Sequence, residues 1–397
     1  MKTRSRNVMI PMLLVVALSS AVSSRHARGA ESHSDVIQIA ILLDTSGSMS
    51  GLIEQAKSEL WKVVNEFATT IRDGRRPSLE VALYEYGNNS LPAREGYVRR
   101  IVPLTDDLDR VSEELFALTT NGGNEYCGWV IRSATSELEW SASPDALKTI
   151  FIAGNEPFTQ GPVSHEESCR EAVSRGITVN TIFCGPKSAG ITGNWQAGSV
   201  VADGQFMSID HNHQVAHIAA PQDKEIDRLG VTLNETYIPY GALGGSNLLR
   251  QQMQDSNAAK VGPGASTQRA ICKVSRFYTN AAWDLVDAVR EGTVELEKLK
   301  KEDLPEALRD LPIEKQRAYL DTRARERQQI HEKIRSLNEA RKQFVAAERK
   351  KQSDAGKETL DSAIIKCVRA QAAKKAFRFS EGTPGKEPEK ATAPVNE

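Results

Sequence analysis

The sequence predicts an α/β fold: a doubly wound, mostly parallel, Rossmann-like sheet followed by a charged α-helical tail. Three observations predict it. A near-continuous apolar run at residues 36–43 suits a central strand buried on both faces. Short apolar runs then alternate with stretches of helical spacing as far as residue 233. Beyond residue 291 the texture changes to dense charge with narrow apolar stripes.

The elements follow in order. After the first strand, Leu52, Ala56, Leu60, Val63, Val64 and Phe67 share one side of a helix over residues 52–72. Residues 79–86 read as a second strand and 97–102 as a third, at an edge. Residues 108–118 and 126–138 read as helices, 149–153 as a buried strand, 165–174 as a helix and 177–183 as the next strand. Residues 205–209 close the series, and a helix follows at 223–233. From 243 to 264 the chain turns polar and Gly-rich, and a helix through 281–286 rejoins the domain. In the tail, Pro305 and Pro312 punctuate the start. Ile330, Ile334, Leu337 and Phe344 follow a heptad-like spacing. That spacing suits a short coiled coil or a helical hairpin, with Leu360, Ile364 and Val368 on the returning arm.

The chain has 397 residues, enough for one large domain with an appendage or two modest ones. A formal net charge of −1 gives no global pull toward nucleic acid or acidic membranes. Lys2, Arg4 and Arg6 precede an apolar stretch at 8–22, with Ala21 and Ser23 at the −3 and −1 positions of a cleavage site. This is the layout of a secretory signal peptide at 1–23. The alternative is an uncleaved anchor, for which the run is short. No cysteine follows the run, which argues against a lipoprotein. The expected division is a signal peptide at 1–23, a flexible linker at 24–34, the α/β domain with its extension at 35–290, a helical tail at 291–380 and a disordered end at 381–397. The five cysteines, Cys127, Cys169, Cys184, Cys272 and Cys367, form no Cys-x-x-Cys pair, so a zinc ribbon or disulfide scaffold is not indicated. One or two disulfides fit an exported chain, with the pairing open.

The strongest chemical signal is Asp44-Thr45-Ser46-Gly47-Ser48-Met49-Ser50, directly after the first strand. One carboxylate and two hydroxyls at alternate positions converge when the loop turns, and they offer hard oxygen donors to a cation such as Mg²⁺. The competing role is an Asp/Ser cap on the following helix, with no metal.

The strand with Asp44-Thr45-Ser46-Gly47-Ser48-Met49 resembles the metal-ion-dependent adhesion site of von Willebrand factor A domains, and the order of elements extends the resemblance over residues 36–240. It implies metal ligands from Asp44, Ser46 and Ser48, a Thr after a Gly-Gly pair in a second loop, and an Asp in a third. Here the second loop reads Gly122-Gly123-Asn124-Glu125, with Asn124 where the Thr is expected. Asn124 still offers a carbonyl oxygen and Glu125 a carboxylate. The third reads Ala153-Gly154-Asn155-Glu156, with Gly154 at the Asp position. Asn155 or Glu156 would substitute only off the family's spacing. The candidate site is therefore Asp44, Ser46, Ser48, Asn124 and Glu125, holding Mg²⁺ or alternatively Mn²⁺ or Ca²⁺. The resemblance also implies a protein partner, whose acidic residue often completes the metal shell. Residues 236–241 and 254–258 resemble a bacterial subgroup of exported proteins with a charged helical tail, which implies no settled activity.

Three of the seven histidines, His211, His213 and His217, cluster in one polar stretch. Their spacing matches no strong zinc motif, and a solvated loop is the plainer reading. No Gly-x-Ser-x-Gly, P-loop or His-Glu-x-x-His is present. Cys127 beside Glu125 has no marked partner base and reads as a buried thiol or disulfide. Arg323, Arg325 and Arg327 are interleaved with acids and read as a solvated helix face. The expectation is an exported protein-binding module, periplasmic or extracellular, that is not an enzyme, does not bind nucleic acid and keeps no membrane span after cleavage, with self-association through the tail open. The alternative is a structural cell-envelope protein with a degenerate metal site and contacts made by the helical tail. A hydrolase using the cation to activate water has only the metal in its favour.

Overall fold

The computed structural model describes residues 35–210, 217–352 and 360–379. The expected signal peptide, the linker at 24–34 and the segment 381–397 lie outside the described residues. So do His211, His213 and the side chain of Leu360.

The apolar run forms β1 (Val36–Asp44), and α1 (Ser50–Phe67) follows the polar loop. Then come β2 (Thr70–Ile71), β3 (Ser78–Tyr86), β4 (Val98–Thr105), α2 (Leu108–Ala117), α3 (Cys127–Glu137) and β5 (Leu147–Gly154). Next are α4 (His165–Ser174), β6 (Thr178–Cys184), α5 (Lys187–Thr192), α6 (Trp195–Val201) and β7 (Phe206–Ile209). The six-stranded sheet has the order β4-β3-β1-β5-β6-β7. All its pairings are parallel except that of β4, which runs antiparallel to β3 at the edge, as its sequence suggested. Both faces are covered, which is why β1 and β5 are apolar throughout. Ile37, Ile39 and Leu43 face one core, with α1 and α2, while Ala40 and Leu42 face the other, with α3, α4 and α6.

The helical extension comprises α7 (Asp223–Asn234), α8 (Gly244–Val261), α9 (Pro263–Lys273), α10 (Leu285–Arg290), α11 (Glu306–Arg309), α12 (Ile313–Gln352) and α13 (Leu360–Lys374), then β8 (Arg378–Phe379). The polar, Gly-rich stretch at 243–264 is thus mostly helix. Its glycines sit at the ends: Gly244 and Gly245 open α8, Gly262 closes it, and Pro263 starts α9. The buried side of α8 is Gln251, Gln254 and Ala258, which no apolar period reveals.

Past residue 290 the chain folds back on the domain. Leu296, Leu304, Leu308 and Leu320 join Ile238, Leu285 and Val286 in a small core. Helix α12 packs on α7, α9 and α10, with Ile334 fully buried and Ile330 and Leu337 beside it. Helix α13 lies on α1 and on β5, β6 and β7, and sends Ile364, Cys367, Val368 and Ala372 into the main core. There Gln371 bonds to Thr149 and Asn180, two polar side chains in the middle of the sheet. β8 pairs with β2, so α1 ends five residues before the expected point and the β-branched Thr70-Ile71 becomes a strand. The apolar stripes of the tail face the domain.

One expectation for the tail is corrected. Arg327 is not on a solvated face; it is buried, and its guanidinium bonds to Asp284 at 2.6 Å, to Asp287 at 2.8 Å and to Thr236. Arg325 is exposed, as expected, and Arg323 pairs with Glu326. The Thr236-Tyr237 and Gln254-Asp255 stretches have structural partners: Tyr237 underlies Arg327, and Asp255 takes Arg269 and Lys273. All five cysteines are buried free thiols. Among the described residues, no helix is long and apolar enough to cross a membrane.

Candidate metal-binding site

Strand order reverses between β1 and β5, whose outgoing connections run to opposite sides of the sheet. Loops leaving the carboxyl ends of two such strands splay apart, and the crevice between them is where ligands bind in open α/β sheets. Asp44 ends β1 and Gly154 ends β5, so the loop picked out from the sequence lies at this switch point.

The first loop is fastened from three sides. Thr45 points inward: its N–H donates to the Tyr86 carbonyl at 2.9 Å and its hydroxyl to Glu85 at 3.2 Å. Its carbonyl accepts the Asn121 N–H at 3.0 Å, which ties in the loop before α3. That second loop can lie so close only because of its glycines. A Cβ at Gly123 would stand 1.5 Å from the Gly87 carbonyl oxygen, so no side chain fits there.

Asp44 is fully buried. Its Oδ1 accepts the Ser46 N–H at 2.7 Å, whereas Oδ2 is buried without a hydrogen-bond partner. The hydroxyls of Ser46 and Ser48 are 3.3 Å apart, and Asn155 from the third loop donates to the Ser48 hydroxyl at 3.1 Å. Neither the carboxylate nor either serine caps α1. Its N-cap is Met49, with no side-chain hydrogen bond, so the helix-cap role is not what these side chains perform. Burial pushes the Asp44 carboxyl up to about 7, against the opposing bonds from Ser46 and with help from the charges of Glu125 and Glu156. Burial likewise raises Glu125, to about 6. A carboxylate held in a dry site without a cation costs several kcal/mol or stays protonated.

The residues singled out from the sequence separate here. Asp44, Ser46, Ser48 and Glu125 come together, Glu125 being almost wholly buried with its N–H bonded to Gln160. Asn124 is exposed, and among the described hydrogen bonds none links it to this group. Of the possible third-loop substitutes, Asn155 reaches Ser48, and Glu156 acts on Asp44 only through its charge. Tyr86 was not anticipated: it pairs in register with Asp44, and its hydroxyl donates to the Ala153 carbonyl at 3.0 Å. Register between β1 and β3 is a tertiary fact, and no sequence signal marks it.

The donor set fits a hard divalent cation. It holds carboxylate oxygens, one of them without a partner, and two adjacent hydroxyls. Among the described residues, no three His, Cys, Asp or Glu side chains converge as a zinc or iron cage would need. His217 is engaged elsewhere, in a 2.9 Å pair with Asp223. Cys127 is a buried thiol pushed well above its usual range by desolvation, and it sits 3.9 Å from the Tyr86 hydroxyl, which gives no nucleophile.

Residues 38–192 match the family model for the von Willebrand factor type A domain. Among solved structures the chain is similar to the conserved hypothetical protein BatB from Bacteroides thetaiotaomicron, at 15% identity over 44% of this chain and 90% of that one, TM-score 0.34. It is also similar to the SpRpn10 VWA domain, at 16% identity over 46% and 100%, TM-score 0.35. A third similarity is to the pilus adhesin SpaC from Lactobacillus rhamnosus GG, at 14% over 44% and 28%, TM-score 0.33. No curated protein matches the chain. With all of β1 but Val36 and Ile37, its Asp-x-Ser-x-Ser loop and the alternating elements through α5 inside the matched span, residues 38–192 of this chain are a von Willebrand factor type A domain.

Proposed function

We propose that the chain binds a protein partner at the carboxyl ends of β1 and β5, through a divalent cation held by Asp44, Ser46, Ser48 and Glu125. Domains of this family commonly mediate protein–protein contacts. The observation that carries the cation is the buried, unpartnered Oδ2 of Asp44. A buried acceptor without a donor destabilises the protein unless something supplies the missing positive charge. When bound, Mg²⁺, or alternatively Mn²⁺ or Ca²⁺, supplies that charge and leaves a coordination position for an acidic group of the partner. The chain's own residues do the rest. Ser46 and Ser48 orient hydroxyls beside Asp44, Asn155 holds Ser48 in place, and Thr45 fixes the loop. The role we propose for this site is binding rather than catalysis.

The test is thermal melting of the purified chain against Mg²⁺, Mn²⁺ and Ca²⁺. The melting temperature should rise with cation concentration by mass action, and Asp44→Ala should remove the rise. Calorimetry that detects no binding at millimolar cation defeats the proposal. Export is its second part and rests on residues 1–23. The native protein should have a mass that begins after Ser23, whereas a mass retaining residues 1–20 favours an anchored chain.

A further inference from the structure

We infer that the adhesion site has moved its second carboxylate: Glu125 supplies it, and the Tyr86 side chain fills the place from which the loop after β5 would otherwise do so. This rests on the cation-binding reading above and specifies the residues of that same site.

Two glycines locate the groups on either side of Asp44. On one side is Gly87, at φ +81° just after β3. A Cβ there would lie 2.9 Å from Asp44 Oδ1 and 2.9 Å from Glu125 Cγ. Both acidic side chains therefore crowd one point that only a glycine leaves free. Glu125 is held there by its place in the chain, between Gly123, packed on the Gly87 backbone, and the start of α3. The Gln160 side chain accepts its N–H. Of the two glutamates whose charges act on Asp44, Glu125 acts the more strongly.

On the other side is Gly154, where the resemblance places an Asp. A Cβ there would stand 2.5 Å from the Tyr86 hydroxyl oxygen, 3.1 Å from Asp44 Oδ2 and 3.2 Å from Asp44 Cβ. The first distance is closer than any real Cβ contact. The tyrosine has nowhere to retreat, because its ring is fully buried and its hydroxyl is bonded to the Ala153 carbonyl. Tyr86 is thus a positioning residue: it excludes a third-loop carboxylate and closes the sheet side of the site. The unpartnered Oδ2 lies on this side, beside the Gly154 backbone. One carboxylate has been exchanged for another on the opposite side of Asp44, so the loop before α3 becomes an acidic arm of the site. The loop after β5 is left to orient Ser48 through Asn155.

The experiment uses the full chain and Mn²⁺, with free Mn²⁺ read by electron paramagnetic resonance and stability read by melting without cation. Glu125→Gln should weaken Mn²⁺ binding by about tenfold or more, while Glu156→Gln should change it by about twofold or less, because affinity follows the charge of the direct ligands. Gly154→Asp alone should lower the cation-free melting temperature, and adding Tyr86→Phe should recover part of that loss, because the colliding oxygen is gone. The melting arm needs no metal and still decides the role of Tyr86 if Glu125→Gln proves poorly folded. Wild-type protein that binds no Mn²⁺ overturns the cation-binding reading itself. Wild-type protein that binds, with Glu125→Gln unaffected or Glu156→Gln the more damaging change, overturns the relocation alone. Gly154→Asp that melts with wild type overturns the role of Tyr86.

Discussion

Buried carboxylates occur in two regions of this molecule, and the two regions treat them differently. Where the helical extension packs on the rest of the domain, Asp109 of α2 and three carboxylates of the extension each meet a cation from the chain itself. Asp109 lies 2.6 Å from Arg269, Asp255 takes both Arg269 and Lys273, and Asp284 and Asp287 share Arg327. Burial pushes the Asp255 carboxyl up, but Lys273 and Arg269 outweigh it and hold it at about 2. At the carboxyl end of β1, Glu85 pairs with Arg99, but among the described residues no such cation reaches Asp44. Asp44 has only the Ser46 N–H and hydroxyls, Glu125 and Glu156 add further negative charge, and the Asp44 carboxyl rises to about 7. A buried acid paired within the chain locks two elements together, whereas one left unpaired beside hydroxyls is, on the reading we propose, the group that a cation from solution would meet.

The largest effect should come from removing the locks together with the helices that carry them. The packing supports the proposal that α12 and α13 are part of the domain core. Truncation after Arg290 would strip Arg327 from Asp284 and Asp287, and α13 from the sheet face holding Thr149 and Asn180. The fragment 35–290 should show no cooperative melting transition by circular dichroism. A fragment that melts cooperatively within a few degrees of the full chain would restore a domain boundary at 290 and break the comparison. The single-residue form of this test, Arg327→Ala, should cost about 3–5 kcal/mol in denaturant unfolding, since it strands the buried Asp284 and leaves Asp287 only the exposed Arg290. A cost below about 1 kcal/mol would place the pair among weak surface bridges.

The two regions also differ in how readable they are. The loop at Asp44, Ser46 and Ser48 was legible because its donors are adjacent in sequence and follow a strand buried on both faces. Glu125 was legible as a carboxylate beside a Gly-Gly pair. Asn124, chosen for the position of the family's Thr, turns outward. Tyr86 was hidden because it meets the site across the β1–β3 register. The extension was harder still. Helix α8 buries glutamines rather than leucines, so its period is invisible to hydropathy. Arg327 sits among charges that look solvated in sequence, and only the distant pairing with Asp284 and Asp287 explains it. Local apolar periodicity reports faces; ionic locks between segments far apart in the chain leave no local mark.

The smallest effect should come from the unpaired acid, and it should run opposite in sign to the locks. Asp44 binds its proton more tightly in the folded state than in the unfolded chain, where its value is about 3.8. The cation-free protein therefore keeps this contribution below about pH 4, loses it as pH rises and carries the full penalty above about pH 7. A rise of this size corresponds to no more than about 4 kcal/mol. Asp44→Asn keeps the shape and removes the charge. In the absence of cation the variant and wild type should have similar stability near pH 4, and the variant should be the more stable at pH 8. Saturating Mg²⁺ at pH 8 should then close the gap by stabilising wild type alone. Urea unfolding at the two pH values, with and without Mg²⁺, makes the measurement. A variant less stable than wild type at pH 8 without cation would mean that the Asp44 bond to the Ser46 N–H dominates. The carboxylate would then be one more structural lock, and the contrast between the two regions would fall.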